Sequence, residues 1–425
     1  MQTERALLVG IQESDISFED LESSLKELEQ LAYTSGVSVV GNLTQQVKRV
    51  SPRTLLGRGK VEEIASKAAE EEVDVVIFND ELSPAQQRNL ESTIECKIID
   101  RTTLILDIFA QHAHTKEGYL QVELAQLRYR LPRLAGKGVD LSRLGGGIGT
   151  RGPGETKLEV DRRRIRDKIA MIRRELENVR SVRALHRERR LGVPLIIVSL
   201  VGYTNAGKST LMNALTKANV LVEDKLFATV DPTTRRLKLP NGHVVLLTDT
   251  VGFIKKLPTT LIEAFKATLE EIAQADLLLH LIDSSHSGAG EEAKTVLNIL
   301  DEIGASEIPI IHVYNKTDLG FDRFEVAKSG RLHPSVLVSA KAGNNLGLLQ
   351  EKIQEIIQLS FEQYELTLPQ GTSTEQLLGA VRENGRIVEQ QYDYESVRAI
   401  VEVTERFASW LKKNKKEFRL KINGR

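Results

Sequence analysis

The chain has 425 residues, enough for two or three domains that each bury a core, and at 41% hydrophobic and 28% charged its composition excludes disordered and fibrous classes. Lys+Arg 58 against Asp+Glu 59 give a formal net charge of -1, so any contact with nucleic acid must come from local basic clusters. The single cysteine, Cys96, cannot form an internal disulfide, no apolar run reaches membrane-spanning length, and Met1–Arg5 does not open a signal peptide. The expectation is a cytoplasmic monomer with no transmembrane segment and at most a peripheral membrane association.

Residues 1–115 alternate strand-like and helix-like patterns. Arg5–Gly10 and Val37–Val40 read as short strands around an amphipathic helix near Phe18–Ala32. Val73–Phe78 is a stronger strand, preceded by a helix from Val61 and followed by one opening at Ser83-Pro84. Cys96–Ile99 closes the set. Strands separated by helices predict a small parallel α/β domain. Leu56-Gly-Arg-Gly-Lys60 stands just ahead of a helix, as a simple loop or as a grip on RNA phosphate rather than on a second nucleotide.

Residues 116–192 read as a helical hairpin. Leu120, Leu124, Leu127 and Leu131 repeat at helical spacing, as do Ile165, Ile169, Ile172, Leu176 and Val179, so each helix offers one apolar stripe for the other to bury. The loop between them, residues 134–156, is rich in glycine and carries Lys137, Arg143 and Arg151 with almost no opposing charge. The second helix adds Arg162, Arg163, Arg164, Arg166, Lys168, Arg173 and Arg174. Charged helix faces are commonly only solvated. Here the excess of basic residues in an otherwise balanced chain favours RNA: glycines allow close approach and arginines contact phosphate.

Residues 193–360 read as a nucleotide domain. The apolar run Leu195–Val201 leads into Gly202-Tyr203-Thr204-Asn205-Ala206-Gly207-Lys208-Ser209 and then into a helix from Thr210. This is G-x-x-x-x-G-K-[ST] in the strand–loop–helix context it requires: backbone N–H groups cradle phosphates, Lys208 reaches the β- and γ-phosphates, and the Ser209 hydroxyl holds Mg²⁺. Further strands at Val244–Thr248, Leu277–Ile282, Ile308–Tyr314 and Ser335–Ser339, separated mostly by helical patterns, predict a doubly wound, mostly parallel sheet.

The other stretches fall in the order that a guanine-nucleotide hydrolase needs. In Asp249-Thr250-Val251-Gly252 the aspartate holds Mg²⁺ through water and the Gly252 N–H meets the γ-phosphate. In Asn315-Lys316-Thr317-Asp318 the Asp318 carboxylate suits the N1–H and exocyclic amine of guanine, which adenine lacks. Lys316 packs along the base and Asn315 ties the loops together. Ser339-Ala340-Lys341 offers backbone N–H groups to guanine O6. Between these lies Phe227-Ala228-Thr229-Val230-Asp231, continuing to Arg236, where Thr229, Thr233 and Thr234 are all candidates to cap Mg²⁺ and the γ-phosphate. Ras-like enzymes place a glutamine directly after Asp-x-x-Gly to orient water. Here that residue is Phe253, so intrinsic hydrolysis should be slow and await a partner. Residues 361–425 read as a small α+β module, with strand-like Glu365–Leu368 and Ile387–Tyr392 and a helix around Ser396, Phe407 and Trp410.

These residues carry a resemblance. Gly202–Ser209, Phe227–Pro232, Asp249–Phe253 and above all Gly145-Gly-Gly-Ile-Gly-Thr-Arg-Gly-Pro-Gly-Glu-Thr-Lys157 with Asp161-Arg-Arg-Arg164 resemble the HflX family of GTPases. The resemblance implies a P-loop GTPase that binds the large ribosomal subunit through its N-terminal domain and glycine-rich loop. In the GTP state such a protein separates or rescues stalled or idle ribosomes. It also implies Thr229 as the Mg²⁺-contacting threonine, a catalytic set of Lys208, Thr229 and Gly252, and activation by the ribosome where Phe253 replaces glutamine. The competing expectation is a GTP-dependent switch acting on a protein partner, such as a membrane protease, without ribosome splitting.

Overall fold

The computed structural model describes residues 3–134, 157–191, 195–216, 226–227, 229, 231–256, 269, 272–286, 288–320, 333–415 and 418–424. They form two compact units. The first takes the described residues up to 180 together with Leu226, Phe227, Thr229, Lys255 and Lys256; the second takes the others.

In the first unit, four parallel strands, β1 (Arg5–Gln12), β2 (Ser38–Gln46), β3 (Val75–Phe78) and β4 (Lys97–Asp100), lie in the order β2-β1-β3-β4. β1 and β3 sit inside the sheet; β1 is buried from Ala6 to Ile11 and β3 along its whole length, as strands covered on both faces must be. Four helices of this unit begin where a side chain can accept the loose N–H groups of the first turn. Ser17 accepts from Asp20 at the start of α1 (Phe18–Thr34), and Ser83 and Gln86 cap each other's backbone at α3 (Pro84–Glu91). Asp100 accepts from Thr103 at α4 (Arg101–His112), and Thr115 from Gly118 at α5 (Lys116–Arg133). The helix Arg58–Glu70 (α2) lacks such a side chain at Gly57.

The two leucine and isoleucine stripes meet. Leu124, Ile169, Ile172 and Leu176 form a buried cluster flanked by Leu120, Leu127, Leu131 and Ile165, which joins α5 to the long helix α6 (Lys157–Leu191). Val179 lies outside that cluster.

The second unit is built on a six-stranded sheet, order β10-β9-β8-β5-β7-β6, from β5 (Ile196–Gly202), β6 (Thr233–Lys238), β7 (Val244–Asp249), β8 (Leu277–Asp283), β9 (Ile310–Asn315) and β10 (Ser335–Leu337). Every pairing is parallel except β6 with β7. β6 is an unforeseen strand: Thr-Thr-Arg-Arg-Leu-Lys buries only Leu237, as an edge strand can, and so shows no apolar run. One face is packed by α7 (Lys208–Thr216) and α9 (Leu346–Leu359) around Val198, Leu200, Leu279 and Ile353; α8 (Ala289–Glu302) lies between β8 and β9 in sequence.

The C-terminal module corrects the sequence reading. Ser396–Thr404 is a strand, β13, and not the start of a helix; the helix is α11, Glu405–Lys413, capped by Thr404. Val397, Ala399, Val401 and Val403 are buried at alternate positions, a period of two that no helix can satisfy. With β11 (Phe361–Pro369), α10 (Thr372–Asn384), β12 (Gly385–Tyr392) and β14 (Lys421–Gly424) the module runs β-α-β-β-α-β, and its sheet is antiparallel in the order β12-β13-β11-β14. Among the described residues no helix is long and apolar enough to cross a membrane.

Candidate nucleotide-binding site

The six-stranded sheet brings most of the candidate residues to the carboxyl ends of β5, β7, β8 and β9, where open α/β sheets hold ligands. Gly202 ends β5, and Lys208 and Ser209 open α7. Asn205 and Gly207 take positive φ, 59° and 93°. A Cβ on Gly207 would collide with the Asn315 amide nitrogen, and one on Gly202 with the Leu281 carbonyl, so neither position admits a larger residue. Lys208 is buried, and its Nζ donates to the carbonyls of Gly202 at 3.1 Å and Tyr203 at 2.8 Å. Burial pulls its pKa down to about 8, against the opposing pull of Asp249.

The Ser209 hydroxyl donates to Asp249 Oδ2 at 2.7 Å. A hydroxyl and a carboxylate this close are hard oxygen donors of the kind Mg²⁺ takes, directly or through water. Among the described residues no cluster of three or more His, Cys, Asp or Glu could hold a metal by itself. The donor set therefore fits Mg²⁺ shared with phosphate oxygens better than an all-protein cage.

Past Asp249 the chain continues alongside the P-loop. Thr250 Oγ1 donates to the Leu200 carbonyl at 2.7 Å, Phe253 N–H to Gly202 O at 3.1 Å, and Thr204 N–H to Phe253 O at 2.8 Å. Gly252 is held so near that a Cβ on it would stand 3.0 Å from Lys208 Nζ. Phe253 is only 1% exposed, a core side chain with nothing polar to offer water.

Of the three candidate threonines, two are strand residues. Thr233 pairs with Asp249 across β6 and β7, and Thr234 Oγ1 lies 3.1 Å from Thr248 Oγ1. Thr229 is half-buried outside regular structure, and its neighbours Ala228 and Val230 lie outside the described residues. Leu226 and Phe227 belong to the first unit: Leu226 N–H donates to Thr34 Oγ1 at 3.3 Å, and the buried Phe227 ring meets Phe109 edge-on at 4.6 Å. Lys255 and Lys256 belong there too. Arg101 donates to the Lys255 carbonyl at 3.3 Å, and Lys256 Nζ pairs with Asp80 at 2.5 Å.

The base-reading loops are tied at several points. Asn315 Nδ2 donates to Ala206 O at 2.9 Å, and its Oδ1 accepts from Ala340 N–H at 2.9 Å. Ser339 Oγ donates to Asp318 Oδ1 at 2.6 Å, and Thr317 Oγ1 to Val338 O at 2.9 Å. Lys341 is exposed beside them. Lys316 sits in the left-handed region (φ 63°), and its Nζ pairs with Asp283 Oδ2 at 2.7 Å. Asp283 was not singled out in the sequence. Its signal there is only a carboxylate directly after the apolar run of β8, at a strand end.

Arg163, Arg164, Arg166, Arg173 and Arg174 are exposed along α6, Arg162 is half-buried, and Lys137, Arg143 and Arg151 lie outside the described residues. In the Leu56–Lys60 stretch Arg58 pairs with Glu62 at 2.9 Å and Lys60 with Glu63 at 2.8 Å, one turn on.

The chain is 50% identical over 401 residues to the GTPase HflX of Caldanaerobacter subterraneus subsp. tengcongensis, covering 94% of this chain and 91% of that one. The chain belongs to the HflX family of GTPases. Escherichia coli GTPase HflX is 46% identical over 373 residues, 86% of each chain. Three family models match in sequence order: GTP-binding GTPase N-terminal over residues 22–110, GTP-binding GTPase Middle Region over 112–190, and 50S ribosome-binding GTPase over 197–316. Among solved structures, a GTP-binding protein from Sulfolobus solfataricus in complex with GDP is 26% identical. That alignment covers 83% of this chain and 98% of that one, with a TM-score of 0.44. As an HflX-family member the chain binds GTP and hydrolyses it.

Proposed function

We propose that this HflX-family GTPase works with Mg²⁺ on the large ribosomal subunit in the cytoplasm. In its GTP state it binds the subunit and promotes dissociation or rescue of stalled or idle ribosomes, and the ribosome stimulates its hydrolysis of GTP to GDP and phosphate. The observation that carries the ribosomal part is the exposed arginine row of α6, next in sequence to the glycine-rich stretch with Lys137, Arg143 and Arg151. The match of residues 197–316 to a family model described as a 50S ribosome-binding GTPase supports the same reading.

At the site, backbone N–H groups of Asn205–Thr210 wrap the phosphates and Lys208 places its ammonium against the β- and γ-phosphates. Ser209, Thr229 and Asp249 would hold Mg²⁺, which would supply positive charge to offset the negative charge developing on the phosphate oxygens. The Gly252 N–H donates to the γ-phosphate. Asp318, aligned by Ser339, accepts from guanine N1–H and the exocyclic amine, while Asn315 holds the base loop to the P-loop. Water attacks the γ-phosphorus as the bond to the β–γ bridging oxygen breaks. Phe253 cannot orient that water, so this chain hydrolyses GTP slowly until the ribosome completes the site.

Binding to large subunits should weaken steeply with salt, because release of phosphate counterions scales with the number of arginine contacts. Arg143→Ala with Arg151→Ala should flatten that slope and abolish ribosome stimulation while sparing GTP affinity. A salt-insensitive complex, or stimulation unchanged in the double variant, would contradict the reading and favour a protein partner.

A further inference from the structure

We propose that Asp283, braced by Ser285, is the positioning residue for Lys316 and through it sets affinity for guanine nucleotides. The proposal rests on guanine nucleotide being the ligand of the site.

Lys316 has a long, flexible side chain on a backbone held at φ 63°, a region that non-glycine residues seldom enter. To lie along a purine, its stem must be fixed at both ends. The backbone end is fixed from the turn directly after β8: Ser284 N–H and Oγ both donate to the Asn315 carbonyl, at 3.1 Å and 2.7 Å. The ammonium end is fixed by Asp283 Oδ2 at 2.7 Å. The second carboxylate oxygen, Oδ1, accepts from Ser285 N–H at 3.1 Å and Ser285 Oγ at 2.6 Å, so the carboxylate cannot swing away. Burial works to raise the Asp283 pKa, but the bonds from Lys316 and Ser285 outweigh it, and the group stays ionised at neutral pH. Among the described residues Asp318 is held separately, by Ser339. The two carboxylates therefore have separable tasks: Asp318 chooses the base, and Asp283 pre-orders the lysine that covers it. Ordering Lys316 before the nucleotide arrives removes an entropy cost from binding, and it does so equally for GTP and GDP.

Asp283→Asn keeps the shape and the Ser285 bonds but removes the negative charge that faces the Lys316 ammonium. Fluorescent GDP and GTP titrations of the full chain should show both affinities falling by an equal factor of roughly ten or more, the loss of a charge-assisted bond. kcat at saturating GTP should change less than twofold, and preference for guanosine over xanthosine nucleotides should persist. In a Lys316→Met background Asp283→Asn should cost nothing further, and this coupling reads the pair even if the variant melts at lower temperature. Affinity unchanged in the single variant, or an equal loss with and without Lys316, would overturn the proposal. Failure of the parent chain to bind guanine nucleotide at all would instead strike the underlying site assignment.

Discussion

Asn315 donates through Nδ2 to the carbonyl of Ala206, 2.9 Å away although 109 residues separate them in sequence. With its Oδ1 held by Ala340 N–H, one buried side chain fastens the base loop, the P-loop and the Ser339–Lys341 loop together. Asn315→Ala leaves two buried backbone groups unpaired, at about 1–3 kcal/mol each. GDP affinity should fall by tenfold or more, and the nucleotide-free melting temperature should drop with it. Calorimetric titration and a melting curve check both; a variant that binds GDP like the parent would show that the loops hold without the tie.

Lys208 gives a pH dependence of definite sign. Its pKa falls from 10.5 to about 8 because it is buried, with Asp249 only partly restoring the charge. The charged form therefore costs stability below pH 8, and the nucleotide-free protein gains stability from this group as pH rises from about 8 toward 10.5. Nucleotide affinity runs the other way, since the phosphates need the ammonium: it should be flat from about pH 6.5 to 7.5 and decline above pH 8. Lys208→Met should raise the nucleotide-free melting temperature while abolishing GTP binding. A melting temperature that falls instead would mean that the Lys208 bonds to Gly202 and Tyr203 outweigh its burial.

Three histidine rings, His280, His312 and His333, stand in a row. His280 and His312 are paired across β8 and β9, with ring centroids 5.0 Å apart, and His333 lies 4.8 Å beyond. Neither ring nitrogen of His280 has a hydrogen-bond partner among the described residues. Burial, then the neighbouring imidazoles, push His280 well below 6.5 and His312 to about 4. Both folded pKa values lie below the unfolded one, so the unfolded chain binds more protons as pH falls, and stability is lost below about pH 6.5. From His312 alone the loss at pH 5 is about 2 kcal/mol. Urea unfolding at pH 7.5 and pH 5 should show His312→Leu losing that much less than the parent. Equal losses would place the acid sensitivity elsewhere.

The parts of the site that a motif encodes were legible in the chain, because those motifs specify backbone geometry. Gly202–Ser209 had to be a strand–loop–helix turn, and Asn315–Asp318 had to end a strand. The apolar stripes of α5 and α6 were legible for the same reason: a 3.6-residue period states which face is buried. What escaped depends on distant partners. β6 exists because Thr233–Lys238 pairs with β7, and its own residues are nearly all polar. Ser396 looked helical beside Phe407 and Trp410, yet the alternate valines after it pack on a sheet. Asp283 is one carboxylate with no motif around it, significant only once Lys316 is beside it. The packing of Phe227 on Phe109 and the pairing of Lys256 with Asp80 likewise have no local signature, since each joins segments far apart in the chain.

On the proposed function, the site with Phe253 in place of a polar residue hydrolyses GTP at full rate only when the large ribosomal subunit completes it. The direct measurement is GTP turnover by the purified protein, alone and with increasing large subunits. Strong, saturable stimulation is the predicted result. No stimulation at a subunit concentration where binding is demonstrated would contradict the account.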